Sequence, residues 1–375
     1  MITIPRKSLL AELHLLQSVL EVKLTMPVLA YVRFELVATT LTLTATNLDV
    51  SITTQIEAAG EPWSGCLPLA QLYALVKLLY DETITVTPKD GIVEIKAGRA
   101  RHKLPTMSVS EFPEISQANE SGVTLPAATF NSMLSSIAFA VLTPSDGLSQ
   151  SQHRFTGISM IVRDNQLLLT ATNIMRLATT SCAVESDASF DVIIPRQAIG
   201  GLMKVDGGEV SIGVTDSFLH FTNGLRRMHV RRLIDDKFPD WRSMFPKSYE
   251  HTAELATGEL SAAIKRAMLT QNERRNMVID GLRWTWAGGE LLIETRGGDL
   301  GKSDEVVAVT CASLNGSSVA LGMNGQQVID ALSLLGERVV CGFSAGTFVV
   351  KMKPQQPSPV NFTYYINTVS LKNWQ

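Results

Sequence analysis

Cysteine is scarce in this chain. The four present, Cys66, Cys182, Cys311 and Cys341, are far apart and match no C-x-x-C or metal-ligand spacing. That argues against a disulfide framework and against zinc, and leaves four buried thiols as the expectation. Long hydrophobic runs are absent too: none approaches the roughly 18 to 20 residues that span a bilayer. The opening Met1-Ile2-Thr3-Ile4-Pro5-Arg6-Lys7 has neither the apolar stretch nor the small-residue cleavage site of a signal peptide. The expected setting is cytoplasmic, with no membrane partner. Catalytic signatures are missing as well. His14, His102, His153, His220, His229 and His251 fall in no H-E-x-x-H or triad-like setting, and there is no G-x-S-x-G, P-loop or G-x-G-x-x-G. Adjacent acids such as Asp235-Asp236 point to opposite faces of a strand, which suits surface charge better than a metal. Nothing speaks for an enzyme, a cofactor or a metal. Finally, there is no basic excess, since 33 Lys and Arg stand against 36 Asp and Glu, a net charge of −3. A compact DNA-reading domain is usually basic, so a nucleic-acid role requires segregated charge.

What the chain does contain is repetition. Thr44-Ala45-Thr46-Asn47 returns as Thr170-Ala171-Thr172-Asn173, 126 residues later. Glu111-Phe112-Pro113-Glu114 returns as Lys237-Phe238-Pro239-Asp240 at the same offset, and Leu67-Pro68 as Ile194-Pro195 at 127. A third copy is fainter: Leu291-Leu292-Ile293-Glu294-Thr295 lies 124 residues beyond Leu167, but the Phe-Pro landmark is missing. Short matches arise by chance one at a time, whereas agreement in offset and order indicates one unit written three times. The 375 residues exceed one core and suit three domains. Their expected bounds are 1–120, 121–247 and 248–375, with linkers near 116–122 and 247–252.

Each unit has the same grammar of strand, helix and meander, twice over. Helices are expected from about Arg6 to Val19 and over 70–80, 129–141, 196–205, 258–270 and 326–336. The fold class is therefore α+β: three domains, each with two helices packed on antiparallel sheet. Joined in sequence, such domains form a lining of helices and an outer wall of sheet. The helices carry Arg6, Lys7, Lys77, Arg196, Lys204, Lys265 and Arg266, while sheets and loops carry Glu57, Asp81-Glu82, Glu185, Asp187, Asp235-Asp236 and Asp304-Glu305. Segregation is compatible with this pattern, and so is an ordinary solvated helix face.

The full chain resembles the bacterial DNA sliding clamps, the beta subunit of the replicative polymerase. The matching residues are Met26-Pro27-Val28-Leu29, the run from Leu41 to Asp49, Glu111-Phe112-Pro113, Thr170-Ala171-Thr172-Asn173 with Arg176-Leu177-Ala178, Ile194-Pro195-Arg196, and Lys237-Phe238-Pro239-Asp240-Trp241 with Phe245-Pro246. The resemblance implies a non-catalytic processivity factor: a head-to-tail homodimer ring that encircles double-stranded DNA without reading its sequence. It further implies tethering of DNA polymerase and clamp loader through short linear peptides. Sequence-independent phosphate contacts suit sliding, and the matching positions place Lys23, Arg154 and Arg196 near DNA. The alternative is a repeat scaffold that binds peptides without encircling DNA.

By the same resemblance the peptide pocket comprises Phe155, Thr172, Ile174, Met175, Arg176, Leu177, Pro239 and Met244, with Tyr365, Ile366, Asn367, Thr368 and Val369 from the last strand. Strand alternation also accounts for Phe155, Leu177 and Ile366 as plain core. The family pattern Thr-Asp-Gly-His-Arg-Leu-Ala is Thr172-Asn173-Ile174-Met175-Arg176-Leu177-Ala178 here. The usual ending Met-Pro-Met-Arg-Leu is Asn367-Thr368-Val369-Ser370-Leu371, followed by Lys372-Asn373-Trp374-Gln375. Loss of the flexible methionines predicts a divergent clamp with altered peptide choice. The subunit interface is expected at His102 and Leu104 against Leu269 and Thr270, where His102 and Thr270 weaken the apolar contact.

Overall fold

The computed structural model describes residues 1–20, 26–115, 122–143, 149–233, 237–270, 281–295, 301–314, 318–356 and 360–371. Lys23, Asp235-Asp236 and the terminal 372–375 lie outside the described residues. The described residues form six α-helices: α1 (Arg6–Leu16), α2 (Leu69–Leu78), α3 (Ala127–Ile137), α4 (Arg196–Leu202), α5 (Thr257–Met268) and α6 (Gly325–Leu332). Pro5, Pro68 and Pro195 cap α1, α2 and α4 with ψ of 120°, 111° and 149°. Proline's fixed φ sets the turn from strand into helix, and its missing N–H costs nothing where no intrahelical partner exists. α4 stops short of the expected Val205. Gly200 and Gly201 weaken it, and Gly201 packs closely, since a Cβ there would sit 2.7 Å from Met228 Cε and 2.8 Å from Ser18 Oγ and would make those side chains shift.

By contacts the chain gathers into two compact units, and the central repeat contributes to both. The first comprises Met1–Leu134, Val162–Asn165 and Val184–Asp236. Its five-stranded sheet places Ile2–Pro5 between Ala59–Gly60 and Thr83–Lys89, continues through Ile92–Ala97 and ends on the edge strand Ala100–Pro105. Its eight-stranded sheet runs from Val123–Pro126 through Glu209–Val214, Phe218–Asn223, Arg226–Arg231, Val50–Glu57, Thr40–Thr46 and Tyr31–Val37 to Trp63–Pro68. In the middle, strands of the first two repeats pair directly, with Val230 opposite Val50. α1 packs beside α2, burying Leu9, Leu13, Leu16, Leu72 and Val76. Buried Glu12 on α1 receives the Arg226 guanidinium at 2.7 to 3.2 Å and the Thr54 hydroxyl at 2.7 Å.

The second unit comprises Ser135–Ile161, Gln166–Ala183 and Lys237–Gln375. Its main sheet includes, in order, Gln166–Thr172, Arg176–Ala183, Asn361–Asn367, Val349–Pro354, Arg338–Phe343, His251–Ala256 and Cys311–Ala312. Its four-stranded sheet runs from the edge strand Asp304–Ala308 through Glu290–Glu294 and Leu282–Ala287 to Val319–Met323. α5 packs on α6. The core is aromatic, with Trp286 stacked on Phe343 at 4.7 Å and Trp284 edge-on to Trp286. Here too a joint between repeats is a strand pair, Leu177 opposite Tyr365. Pairing across each joint is as continuous as pairing within a repeat, which is why the central repeat is shared between the two units.

Cys66, Cys182 and Cys341 are buried thiols, as expected. Burial pushes Cys66 up to about 11 and Cys341 up to about 12, so both remain protonated and inert. The Cys311 side chain lies outside the described ones. No helix among the described residues is long and apolar enough to cross a membrane.

Candidate partner cleft and nucleic-acid face

The repeated Thr-Ala-Thr-Asn motif ends in a turn, and its chemistry is local. The Thr172 hydroxyl donates to the Arg176 carbonyl (2.7 Å) and accepts from the Ile174 N–H (3.0 Å). Asn173 Oδ1 accepts from the N–H groups of Met175 (3.1 Å) and Arg176 (3.0 Å). Short polar side chains that bond the backbone two to four residues on are turn formers. Ile174 adopts φ 78°, the left-handed region normally left to glycine. The strand Asn361–Asn367 then fastens the turn: Asn367 donates its N–H to the Met175 carbonyl (3.0 Å) and its side-chain amide to the Ile174 carbonyl (3.1 Å). Ile174 and Met175 are thereby held with exposed side chains.

Beside this turn lies an apolar bed. Leu177, Val349 and Tyr365 are buried together, and Trp241 and Phe245 pack against them. The Phe245 and Tyr365 rings stack at 4.5 Å, and Trp241 sits 5.7 Å from Tyr365. Burial raises the Tyr365 phenol, with Arg242 opposing. Met244, which caps the short 3-10 helix Trp241–Ser243, and Phe348 beside Val349, are exposed. Phe155 meets Phe238 edge-on at 5.9 Å, while Pro239 accepts the Trp241 N–H at 2.8 Å.

Not every expected pocket residue joins this bed. Arg176 and Ile366 are a cross-strand pair, and alternation sends their side chains to the face opposite Leu177 and Tyr365. The Arg176 guanidinium ion-pairs with Asp330 on α6 at 2.5 Å, donates to the Phe139 carbonyl at 2.7 Å and covers the Phe139 ring. It ties its strand to α6 on the face away from the apolar bed. Ile366 is fully buried. Thr368 bonds Phe348 and Thr347 carbonyls, and Val369 bridges to Gly322, whose missing Cβ leaves room for the Val369 carbonyl. Conversely, Trp241, Phe245 and Val349 complete the bed without being among the expected residues. Their signal was the pair of aromatics four apart in Trp241-Arg242-Ser243-Met244-Phe245.

The basic residues divide similarly. Arg154 lies on a 3-10 helix beside the cleft, donating to the Lys237 carbonyl (3.2 Å) with its guanidinium over Phe155. Arg196, at the start of α4, is exposed, as are Lys7, Lys77 and Lys265. Lys204 donates to the His14 carbonyl (2.9 Å), Arg6 to the carbonyls of Asp81 and Val76, and Arg266 is held by Glu305 at 2.6 and 3.0 Å. His102 is exposed and Leu104 half-buried on the edge strand Ala100–Pro105. Leu269 is 78% exposed at the end of α5, and the Thr270 hydroxyl donates to the Ala267 carbonyl. Among the described residues no group of three or more His, Cys, Asp or Glu is placed to hold a metal.

Comparison with known proteins agrees with this architecture. Family models of the DNA polymerase III beta subunit match end to end: the N-terminal domain at residues 1–116, the central domain at 124–240 and the C-terminal domain at 242–366. The beta sliding clamp of Pseudomonas putida is 28% identical over 343 residues, covering 89% of this chain and 90% of that protein. The beta sliding clamp of Escherichia coli K12 is 25% identical over the same shares. The DNA polymerase III beta subunit structure from Thermotoga maritima superposes with a TM-score of 0.89 at 19% identity, covering 99% of both chains. The chain therefore belongs to the DNA polymerase III beta subunit family, the bacterial sliding clamps, which are non-catalytic processivity factors of DNA replication.

Proposed function

We propose that two copies of this chain close head to tail into a ring around duplex DNA, in the cytoplasm, and that the cleft beside Tyr365 tethers DNA polymerase and clamp loader through short peptides. The domains run 1–120, 121–247 and 248–375. The observation that carries the ring is a pair of sheet edges of opposite charge. The edge strand Ala100–Pro105 exposes Arg101, His102 and Lys103, whereas the edge strand Asp304–Ala308 bears Asp304 and Glu305. An edge strand is a template for a strand from another chain, and opposite charges set the orientation of the pairing. Leu104 supplies an apolar contact to exposed Leu269, with His102 and Thr270 beside them. Part of the acid is already engaged, Glu305 with Arg266 and Asp304 with Lys302 at 3.3 Å. The joint is accordingly sealed by charge as much as by apolar area.

DNA is held by Lys23, Arg154, Arg196 and the exposed helix lysines through exchangeable phosphate contacts, which let the ring slide. The peptide reading rests on the apolar bed with its exposed rim, the composition of a site for a short linear segment. A clamp loaded on nicked circular DNA stays bound through gel filtration and is lost once the circle is cut. Equal loss from circle and linear duplex contradicts encirclement and favours a scaffold that binds peptides alone.

A further inference from the structure

The cleft carries cations that its apolar bed does not need. The Arg242 guanidinium lies 4.9 Å over the Trp241 ring, and Lys351 Nζ lies 5.8 Å from the Tyr365 centroid. Those two rings are themselves 5.7 Å apart, so both cations stand over one aromatic floor. Lys351 is opposite Tyr365 in the strand register, and Lys353 follows two residues on, on the same face. Among the described residues none of Arg242, Lys351 and Lys353 makes an ion pair. The neighbouring acid on that face, Glu254, is committed to Arg338. Burial and the Lys353 charge both lower the Lys351 amine, and an anion arriving there favours its charged form and offsets the repulsion from Lys353. Exposed apolar side chains lie on the adjoining segments: Met244 follows Arg242 by two residues, Phe348 precedes the Lys351 strand, and Ile174 and Met175 are tied by Asn367 to the end of the Tyr365 strand.

We propose that the segment seated in this cleft is an acidic peptide, with its apolar anchor on the Met175, Met244 and Phe348 rim and a carboxylate held by Lys351 and Arg242 over Tyr365 and Trp241. This rests on the reading of the cleft as a peptide site and adds the charge of its occupant. A phosphate backbone shares the anion but has nothing to place on four exposed apolar side chains, whereas a peptide with alternating apolar and acidic residues fits both.

The test uses the full chain and two fluorescein-labelled peptides: one with a central Leu-Leu pair flanked by two aspartates, the other with asparagine in place of each aspartate. Anisotropy titration at low salt is expected to show the aspartate peptide binding about tenfold tighter, a ratio that shrinks in about 0.5 M salt. Lys351→Glu is expected to abolish the ratio and to favour a lysine-flanked peptide, a gain that misfolding would not produce. Equal affinity of the aspartate and asparagine peptides overturns the charge assignment while leaving the cleft as a peptide site. Binding of neither peptide removes the peptide reading itself. Displacement of the aspartate peptide by a linear duplex oligonucleotide assigns the cations to phosphate and overturns the proposal.

Discussion

Two turns of this molecule are built from the same atoms and do different work. In the first unit, the Thr46 hydroxyl donates to the Val50 carbonyl (3.1 Å) and accepts the Leu48 N–H (3.0 Å), while Asn47 Oδ1 accepts from Asp49 (3.1 Å) and Val50 (2.7 Å). That is the hydrogen-bond pattern of Thr172 and Asn173 in the second unit, and Leu48 shares the φ of 78° found at Ile174. Both turns are also fastened alike: Arg231 donates its N–H to the Asp49 carbonyl, as Asn367 does to Met175. The side chains around them diverge. Asp49 faces Arg231 at 3.5 Å, and the positions matching Leu177, Tyr365 and Lys351 are Ser51, His229 and His220. His220 and His229 bond to each other through Nδ1 at 2.9 Å. One joint is polar and closed, and the other is aromatic with an exposed apolar rim. The backbone is a shared scaffold, and a handful of side chains decides what each joint presents.

The comparison breaks most severely at the arginine locks. Glu12 with Arg226 and Asp330 with Arg176 each tie a strand at a joint to a helix. Removing the carboxylate leaves a guanidinium behind, so Asp330→Ala, which leaves the more buried Arg176 without an ion pair, is expected to cost about 3 kcal/mol in urea unfolding, and Glu12→Ala somewhat less because Arg226 keeps Asp206 at 2.9 Å. A loss below about 0.5 kcal/mol at either would reduce that lock to a surface pair.

Next comes acid. Burial, then the charges of His220 and Arg227, depress His229 from 6.5 to about 4. The unfolded chain therefore takes up the proton first, so stability is constant above about 6.5 and falls as pH drops towards 4, by about 3 kcal/mol in all. His229→Gln should remove this drop from the profile of unfolding midpoint against pH. An unchanged profile in that variant would assign the acid sensitivity elsewhere.

The smallest effect sharpens the comparison most. Leu48→Gly and Ile174→Gly both relieve a left-handed backbone and should each stabilise by up to about 1 kcal/mol in calorimetry. Only Ile174→Gly should alter peptide affinity. A change in peptide binding with Leu48→Gly would mean that the joints are less distinct than their side chains indicate.

The turn explains why the threefold repeat could be read at all. Threonine and asparagine are fixed there by bonds spanning four residues, a purely local demand that leaves its mark in sequence. Helix positions were equally legible, since prolines mark the starts of α1, α2 and α4. What could not be read depends on distant partners. Arg176 meets Asp330 across 154 positions and Arg226 meets Glu12 across 214, so the turn of the Arg176 side chain towards α6 leaves no local mark in the sequence. Likewise, nothing local announced that Arg266 is neutralised by Glu305, or that strand pairing across the joints would gather three repeats into two units.

The ring itself is tested most directly by the solution mass of the chain, measured by light scattering across a dilution series. A mass of twice 40.9 kDa that persists on dilution is the predicted result. A mass of 40.9 kDa at every concentration would contradict closure, and the cleft would then belong to a scaffold that does not encircle DNA.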